Sequence, residues 1–124
     1  MELSGYFKSI IDQDPAPVVI CDTDHVIVYM NPAACVRYGQ YGGASLTGRS
    51  LLACHNEESR QTITRVLEWF RVRRDNNCVH TFYNEKENKD VYMIALRDEQ
   101  QNLIGYYEKH VFRDRDMTPL YHMP

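Results

Sequence analysis

Several features are scarce in this chain, and each scarcity closes off a class of function. No apolar run approaches the roughly 20 residues that a membrane-spanning helix needs, and the amino terminus has neither the charged nor the apolar region of a signal peptide. Membrane insertion is therefore not expected, and the cytoplasm is the expected location. Basic charge is in no surplus: 14 Lys and Arg against 17 Asp and Glu leave a net charge of -3, without the basic footprint that nucleic-acid binding requires. The four cysteines, Cys21, Cys35, Cys54 and Cys78, contain no C-x-x-C pair. Neither a zinc knuckle nor a disulfide framework is indicated, and free, mostly buried thiols are expected. Internal repeats and low-complexity stretches are also missing. What is present is the balance of a globular domain, 44% hydrophobic and 25% charged, in 124 residues. That length suits one core and is too short for two domains of ordinary size.

Leu3, Tyr6, Phe7, Ile10 and Ile11 recur at i, i+3, i+4, i+7 and i+8, which predicts an amphipathic helix over residues 1–14, stopped by Asp14-Pro15 and Pro17. Two β-rich runs follow, Val18 to Cys21 and Val26 to Met30. The Asp22-Thr23-Asp24-His25 between them has the side-chain chemistry of a tight turn. Asn31-Pro32 supplies a helix cap and a proline at the first helical position, opening a short helix from Ala33 to Tyr38 that dies at Gly39 and Gly42-Gly43. A further helical turn is expected around Leu51 and Leu52. Asn56, with Glu57 and Glu58 behind it, starts a longer helix whose stripe is Ile63, Val66, Leu67 and Phe70 and whose end is the basic run Arg71 to Arg74. Three strands close the chain: Cys78 to Asn84, Asp90 to Arg97 and Leu103 to Phe112.

The strand at 90–97 has no polar side, because Val91, Met93 and Ala95 alternate with Tyr92, Ile94 and Leu96. Both sheet faces need cover. The middle helices can cover one; for the other the chain offers only its N-terminal helix. A homodimer is therefore expected, with Phe7, Ile10, Ile11, Tyr92 and Ile94 in its interface.

A ββ unit, short helices, one longer helix and a three-stranded meander, in that order, resemble the PAS fold of sensor domains. Asn31-Pro32-Ala33-Ala34 is similar to the family's N-x-A-[AF] helix start, and Leu46-Thr47-Gly48-Arg49-Ser50 to its L-x-G-[KR]-[SN] turn. Arg97-Asp98-Glu99 with Leu103-Ile104-Gly105 is similar to its last hairpin, although Gln101 or Asn102 stands where a glycine is common. Asp116-Met117-Thr118 matches the terminal D-[IVM]-T. The resemblance implies an α+β domain over residues 15–118, a five-stranded antiparallel sheet with helices on one face. It also implies a non-catalytic module that senses a small molecule or partner and signals to an output domain in a longer chain, such as a histidine kinase, a diguanylate cyclase or a transcription regulator. Residues 119–124 then begin a truncated linker helix, with Thr118-Pro119 as its cap and first turn, though Met1 reads as a native start. The flavin-binding branch of the family needs a cysteine where this chain has Leu51, so flavin adduct chemistry is excluded. Haem-binding members commonly carry a histidine on the long helix, where residues 57–74 have none; His55, just ahead of it, keeps haem as an alternative.

Any ligand is expected between helix 57–74 and the inner sheet face, touching Tyr38, His55, Tyr83, Met93 or Tyr107. Cys54-His55 could supply a metal or haem ligand, but neighbouring residues point apart and a metal needs further ligands, so packing is the favoured role. His80 and His110 are expected on adjacent strands, where they could form a metal patch or acid–base pair; surface histidines on a sheet are the plainer reading. Asp22 and Asp24 are explained by their turn. The tyrosines, Tyr38, Tyr83, Tyr92, Tyr106 and Tyr107 among them, suit a pocket wall and an interface equally. A small α+β enzyme is a further alternative, against which stands the lack of any nucleophile, base and acid constellation.

Overall fold

The computed structural model describes residues 1–122. The chain runs through helix α1 (Ser4–Asp12), strands β1 (Val19–Asp22) and β2 (Ile27–Met30), and helix α2 (Pro32–Arg37). Three short 3₁₀ segments between Gly39 and Cys54 lead to helix α3 (Glu57–Val72), and strands β3 (Cys78–Asn84), β4 (Lys89–Arg97) and β5 (Leu103–Phe112) close the fold. All five strands pair antiparallel in one sheet of order β2-β1-β5-β4-β3. This is the α+β architecture expected, with element ends moved by one to three residues. No helix among the described residues is long and apolar enough to cross a membrane.

Local chemistry sets the turns. Asp22 Oδ1 accepts from the Asp24 and Val26 amides at 2.8 and 3.0 Å, which closes the β1–β2 hairpin. In the β4–β5 turn Gln101 takes φ +68°, the left-handed region where glycine is at ease. Asp98 Oδ1 holds that turn by accepting from the Gln100 and Asn102 amides, both at 2.9 Å. Gly105 serves a different need: a Cβ there would lie 2.1 Å from the Cys21 carbonyl oxygen, so β1 and β5 can pair only around a bare backbone.

Helix α3 is held at both ends. The Asn56 side chain accepts from the Ser59 amide at 2.9 Å. At the other end Arg97, reaching across from β4, donates to the Phe70, Arg73 and Asn76 carbonyls at 2.7, 3.1 and 3.3 Å. The helix thereby presses Ile63, Val66, Leu67 and Phe70 onto Cys21, Met93 and Tyr106 of the inner sheet face. Each buried side chain of that size contributes about 1.5–3 kcal/mol relative to exposure.

Asn31, with no exposed surface, organises the other end of the molecule. Its Oδ1 accepts from the Val18 amide at 2.8 Å and caps α2 through the Ala34 amide at 2.9 Å. Its Nδ2 donates to the Ile11 and Ala16 carbonyls at 3.0 and 3.1 Å. One side chain thus ties the end of α1, the start of β1 and the start of α2.

On α1, Tyr6, Phe7 and Ile10 are 61%, 57% and 71% exposed, while Ile11 is half-buried. At edge strand β2 the Tyr29 hydroxyl donates to Asp12 of this helix. Three expectations change. His80 and His110 are not on adjacent strands, because β4 lies between β3 and β5, and the registers His80↔Tyr92 and Val91↔His110 put them on opposite faces. Cys54 and Cys78 are exposed and only Cys21 is fully buried, although all four are free thiols. Thr118-Pro119 starts no helix: residues 119–122 are irregular, consistent with the cost of nucleating so short a helix, and Met123 and Pro124 lie outside the described residues.

Removing the Asn31 side chain leaves buried backbone groups on three elements without partners. Asn31→Ala is expected to destabilise the fold by about 3 kcal/mol or more. Asn56→Ala, which loses one exposed cap, is expected to cost about 1 kcal/mol. Urea denaturation of the two variants checks the ranking; equal losses would contradict the role given to Asn31.

Candidate functional site

The period-2 alternation of strands decides which side chains meet α3. On β5, Tyr106, Glu108 and His110 face the helices, while Tyr107 and Lys109 face away; on β4, Val91 and Met93 face in and Tyr92 and Ile94 out. The 3₁₀ segments and α3 do not close over this inner face. A cleft of two lobes remains. One, of about 680 Å³, lies between β1–β2 and residues 38–55, with Val19, Ile27, Met30, Leu46 and Leu51 in its wall. The other, of about 560 Å³, runs under the first half of α3 over Val91 and Met93. Tyr38, His55 and Glu108 line both lobes and so stand at their junction. These volumes fall within the range of small-molecule sites.

The junction is electrostatically unusual. Burial pushes the Glu108 carboxyl above the ordinary glutamate value, opposed only by the charges of His55 and Lys89. His110 Nδ1 is buried and, among the described residues, has no hydrogen-bond partner. Burial lowers the His110 pKa to about 4, so the ring is neutral at pH 7. The Tyr38 hydroxyl is pushed up to about 12, again by burial, and remains protonated. His55 Nδ1 lies 2.8 Å from the Leu51 carbonyl oxygen. A carbonyl can only accept, so Nδ1 carries the proton and Nε2 keeps its lone pair when the ring is neutral. At the far end Glu87 engages two cations, Lys89 at 2.8 Å and Arg37 at 3.0 Å.

Of the ligand residues expected from the sequence, the fold brings Tyr38, His55 and Met93 to the cleft. It places Tyr83 and Tyr107 elsewhere. Tyr107 lies opposite Ile94 on the outer face, and Tyr83 packs under the Arg113 guanidinium, 4.1 Å from its ring centre. Both belong to the wrong half of the strand alternation. Sequence reading passed over Glu108 and took His110 for a surface histidine of the sheet, whereas it lines the cleft. The signal that could have found them is their spacing of two and four from Tyr106, which puts all three on the face that buries Tyr106.

The remaining candidates have structural roles. His80 Nε2 lies 2.9 Å from Asp90, which also receives both arms of Arg113 at 2.7 and 2.8 Å, fastening the chain after β5 to the β3–β4 hairpin. Arg113 holds the Asp90 carboxyl below its usual range. Cys54 ends a 3₁₀ turn that His55 caps, and both line the first lobe. Among the described residues, no group of three or more His, Cys, Asp or Glu could hold a metal ion.

Comparison with known proteins agrees with this architecture. The family model for the PAS fold matches residues 11–118. Among solved structures, the PAS domain of a protein from Colwellia psychrerythraea superposes with a TM-score of 0.65 at 14% identity, covering 94% of this chain and 98% of that one. A C-terminal domain from Streptococcus mutans gives 0.63 at 23% identity, with coverages of 86% and 81%. The Aer2 receptor of Vibrio cholerae, a dual PAS-haem oxygen sensor, gives 0.56 at 17% identity, with coverages of 79% and 94%. No curated protein matches the sequence.

The burial of His110 has a measurable consequence. Its pKa falls from 6.5 in the unfolded chain to about 4 in the fold, so the unfolded chain takes up the proton first. The stability His110 contributes is complete above pH 6.5 and is lost as the pH falls toward 4. Glu108, whose pKa moves up, acts in the opposite sense, its cost being relieved on acidification. The His110 ring resonances are therefore expected to titrate near pH 4 by NMR, and His110→Phe is expected to improve relative to the parent protein as the pH drops from 7 to 5. A His110 midpoint near the ordinary value would contradict its placement.

Proposed function

This chain belongs to the PAS-fold family, the sensory modules of signalling proteins, and we propose that its two-lobed cleft holds a small molecule whose presence is relayed to an output domain or partner. The observation that carries the reading is the junction of Tyr38, His55 and Glu108. There the Glu108 carboxyl, the Tyr38 hydroxyl and His55 Nε2, without hydrogen-bond partners among the described residues, stand where a largely apolar lobe meets a more polar one in a cleft of ligand-binding size. Native mass spectrometry of the protein as purified tests it, the expected result being a bound organic molecule or stabilisation by one from a metabolite set. An absorption band of haem would move the reading to the alternative in which His55 Nε2 is an iron ligand, and a cleft that takes up nothing would end it.

The relay we propose is a homodimer in the cytoplasm, with output through the segment after β5. Phe7 and Ile10 stand in solvent on α1, while Tyr92, Ile94 and Tyr107 are only half-buried on the outer sheet face. A second copy supplies the matching surface, because α1 of one protomer is the apolar element lacking on the sheet of the other. Burying an isoleucine is worth about 1.5–3 kcal/mol, and a two-fold interface counts each contact twice. Ile10→Asp is therefore expected to weaken the dimer about a hundredfold or more in sedimentation equilibrium while leaving the fold intact. A parent protein that stays monomeric at high micromolar concentration would defeat the relay but not the ligand site.

A further inference from the structure

The cleft has an excess of one kind of hydrogen-bonding group. Thr62 and Thr81 donate their hydroxyl hydrogens to the Glu58 and Val91 carbonyls, at 3.1 and 3.2 Å. Arg37 and Lys89 both engage Glu87. The cations and the threonine hydroxyls of the second lobe are thus committed within the protein. The acceptors at the junction are not: Glu108 takes part in no hydrogen bond or ion pair among the described residues, and His55 Nε2 is left free once Nδ1 has bonded to Leu51. His110 Nδ1, buried and without a partner, lines the same lobe as Glu108. Among the described residues that line the cleft, the cation without an ion pair is Arg49, exposed in the lining of the first lobe. An anionic ligand would have to be drawn past Glu108 to fill the cleft. A ligand bearing N–H groups meets acceptors that lack only a donor, and its apolar body meets Met30, Leu51 and Met93.

We propose that the ligand of this cleft is a compact nitrogen base, an amine, amidine or amino-substituted heterocycle, that donates N–H groups to the Glu108 carboxylate between His55 and His110 while its apolar body lies in the lobes. This rests on the reading that the cleft is a ligand site, and it names the chemistry that site selects. Desolvation is what gives the selection its force. A carboxylate removed from bulk water lacks partners that only a donor-bearing ligand restores, and a hydrogen bond to a charged group is worth more than one between neutral groups.

Three fragments of one shape separate the possibilities: benzamidine, a cationic donor; benzamide, neutral; and benzoate, anionic. Each is titrated into the isotope-labelled protein, following the Glu108 amide and the methyl groups of Met30 and Met93 by NMR. Benzamidine is expected to bind in the cleft more tightly than the other two. Glu108→Gln is expected to weaken benzamidine at least about tenfold, whereas Arg49→Ala changes it by no more than about twofold. Should benzamide or benzoate bind as tightly as benzamidine, or Glu108→Gln bind it as well as the parent, the nitrogen-base inference falls and the cleft remains a ligand site. Should no fragment perturb the cleft, both readings fall. The ranking of the three fragments on the unaltered protein decides the matter even if Glu108→Gln does not fold.

Discussion

The fold depends first on one buried amide. Asn31 has no exposed surface, yet it completes hydrogen bonds to backbone groups of α1, the connector before β1, and α2. No apolar residue could do this, because the groups it satisfies are backbone donors and acceptors that would otherwise be buried alone. Fixing the β1–α2 corner in this way also fixes where the chain re-enters over the inner sheet face. The 3₁₀ segments hang from that corner, and their path defines the first lobe of the cleft.

Arg97 is the counterpart at the opposite end. Its guanidinium reaches the Phe70 and Arg73 carbonyls, groups that the end of α3 leaves unsatisfied, and the Asn76 carbonyl of the turn beyond. With Asn56 at its start and Arg97 at its end, α3 is held at one height above the sheet. Phe70, Leu67, Val66 and Ile63 fill the space beneath it. Nearer the N-terminus of the helix that stripe gives way to Thr62 and Ser59, which line the second lobe instead of filling it. The cavity is the direct result of where the apolar stripe stops.

The two faces of the sheet divide the chemistry. The inner face carries Glu108 and His110, which burial drives away from their charged forms. The outer face carries the fully paired cluster of a buried Asp90 with the more exposed His80 and Arg113, and Tyr83 and Tyr92 stack on it. Satisfied charges near water cost little and serve to fasten the chain after β5 to the β3–β4 hairpin. Unsatisfied polar groups inside a cavity are costly and await a partner. The two clusters therefore have different uses although both are made of His and carboxylate.

Much of this was determined locally and could be read from the residues in order. The caps at Asn31 and Asn56, the Asp22 turn, the stripe of α3 and the three closing strands each depend on neighbours within a few positions, and each formed where expected. The ligand side chains were legible only in part. Tyr38, His55 and Met93 reached the cleft, but Tyr83 and Tyr107 did not, because composition says nothing of which half of a strand faces inward. That choice was made by the tertiary structure, which inserted β5 between β1 and β4. With Gly105 allowing β1 to close on it, Tyr106 went into the core, and the alternation of the strand carried Glu108 and His110 to the cleft and Tyr107 to the opposite face. Strand order and register are settled by burial summed over the whole sheet, which no local stretch of sequence contains.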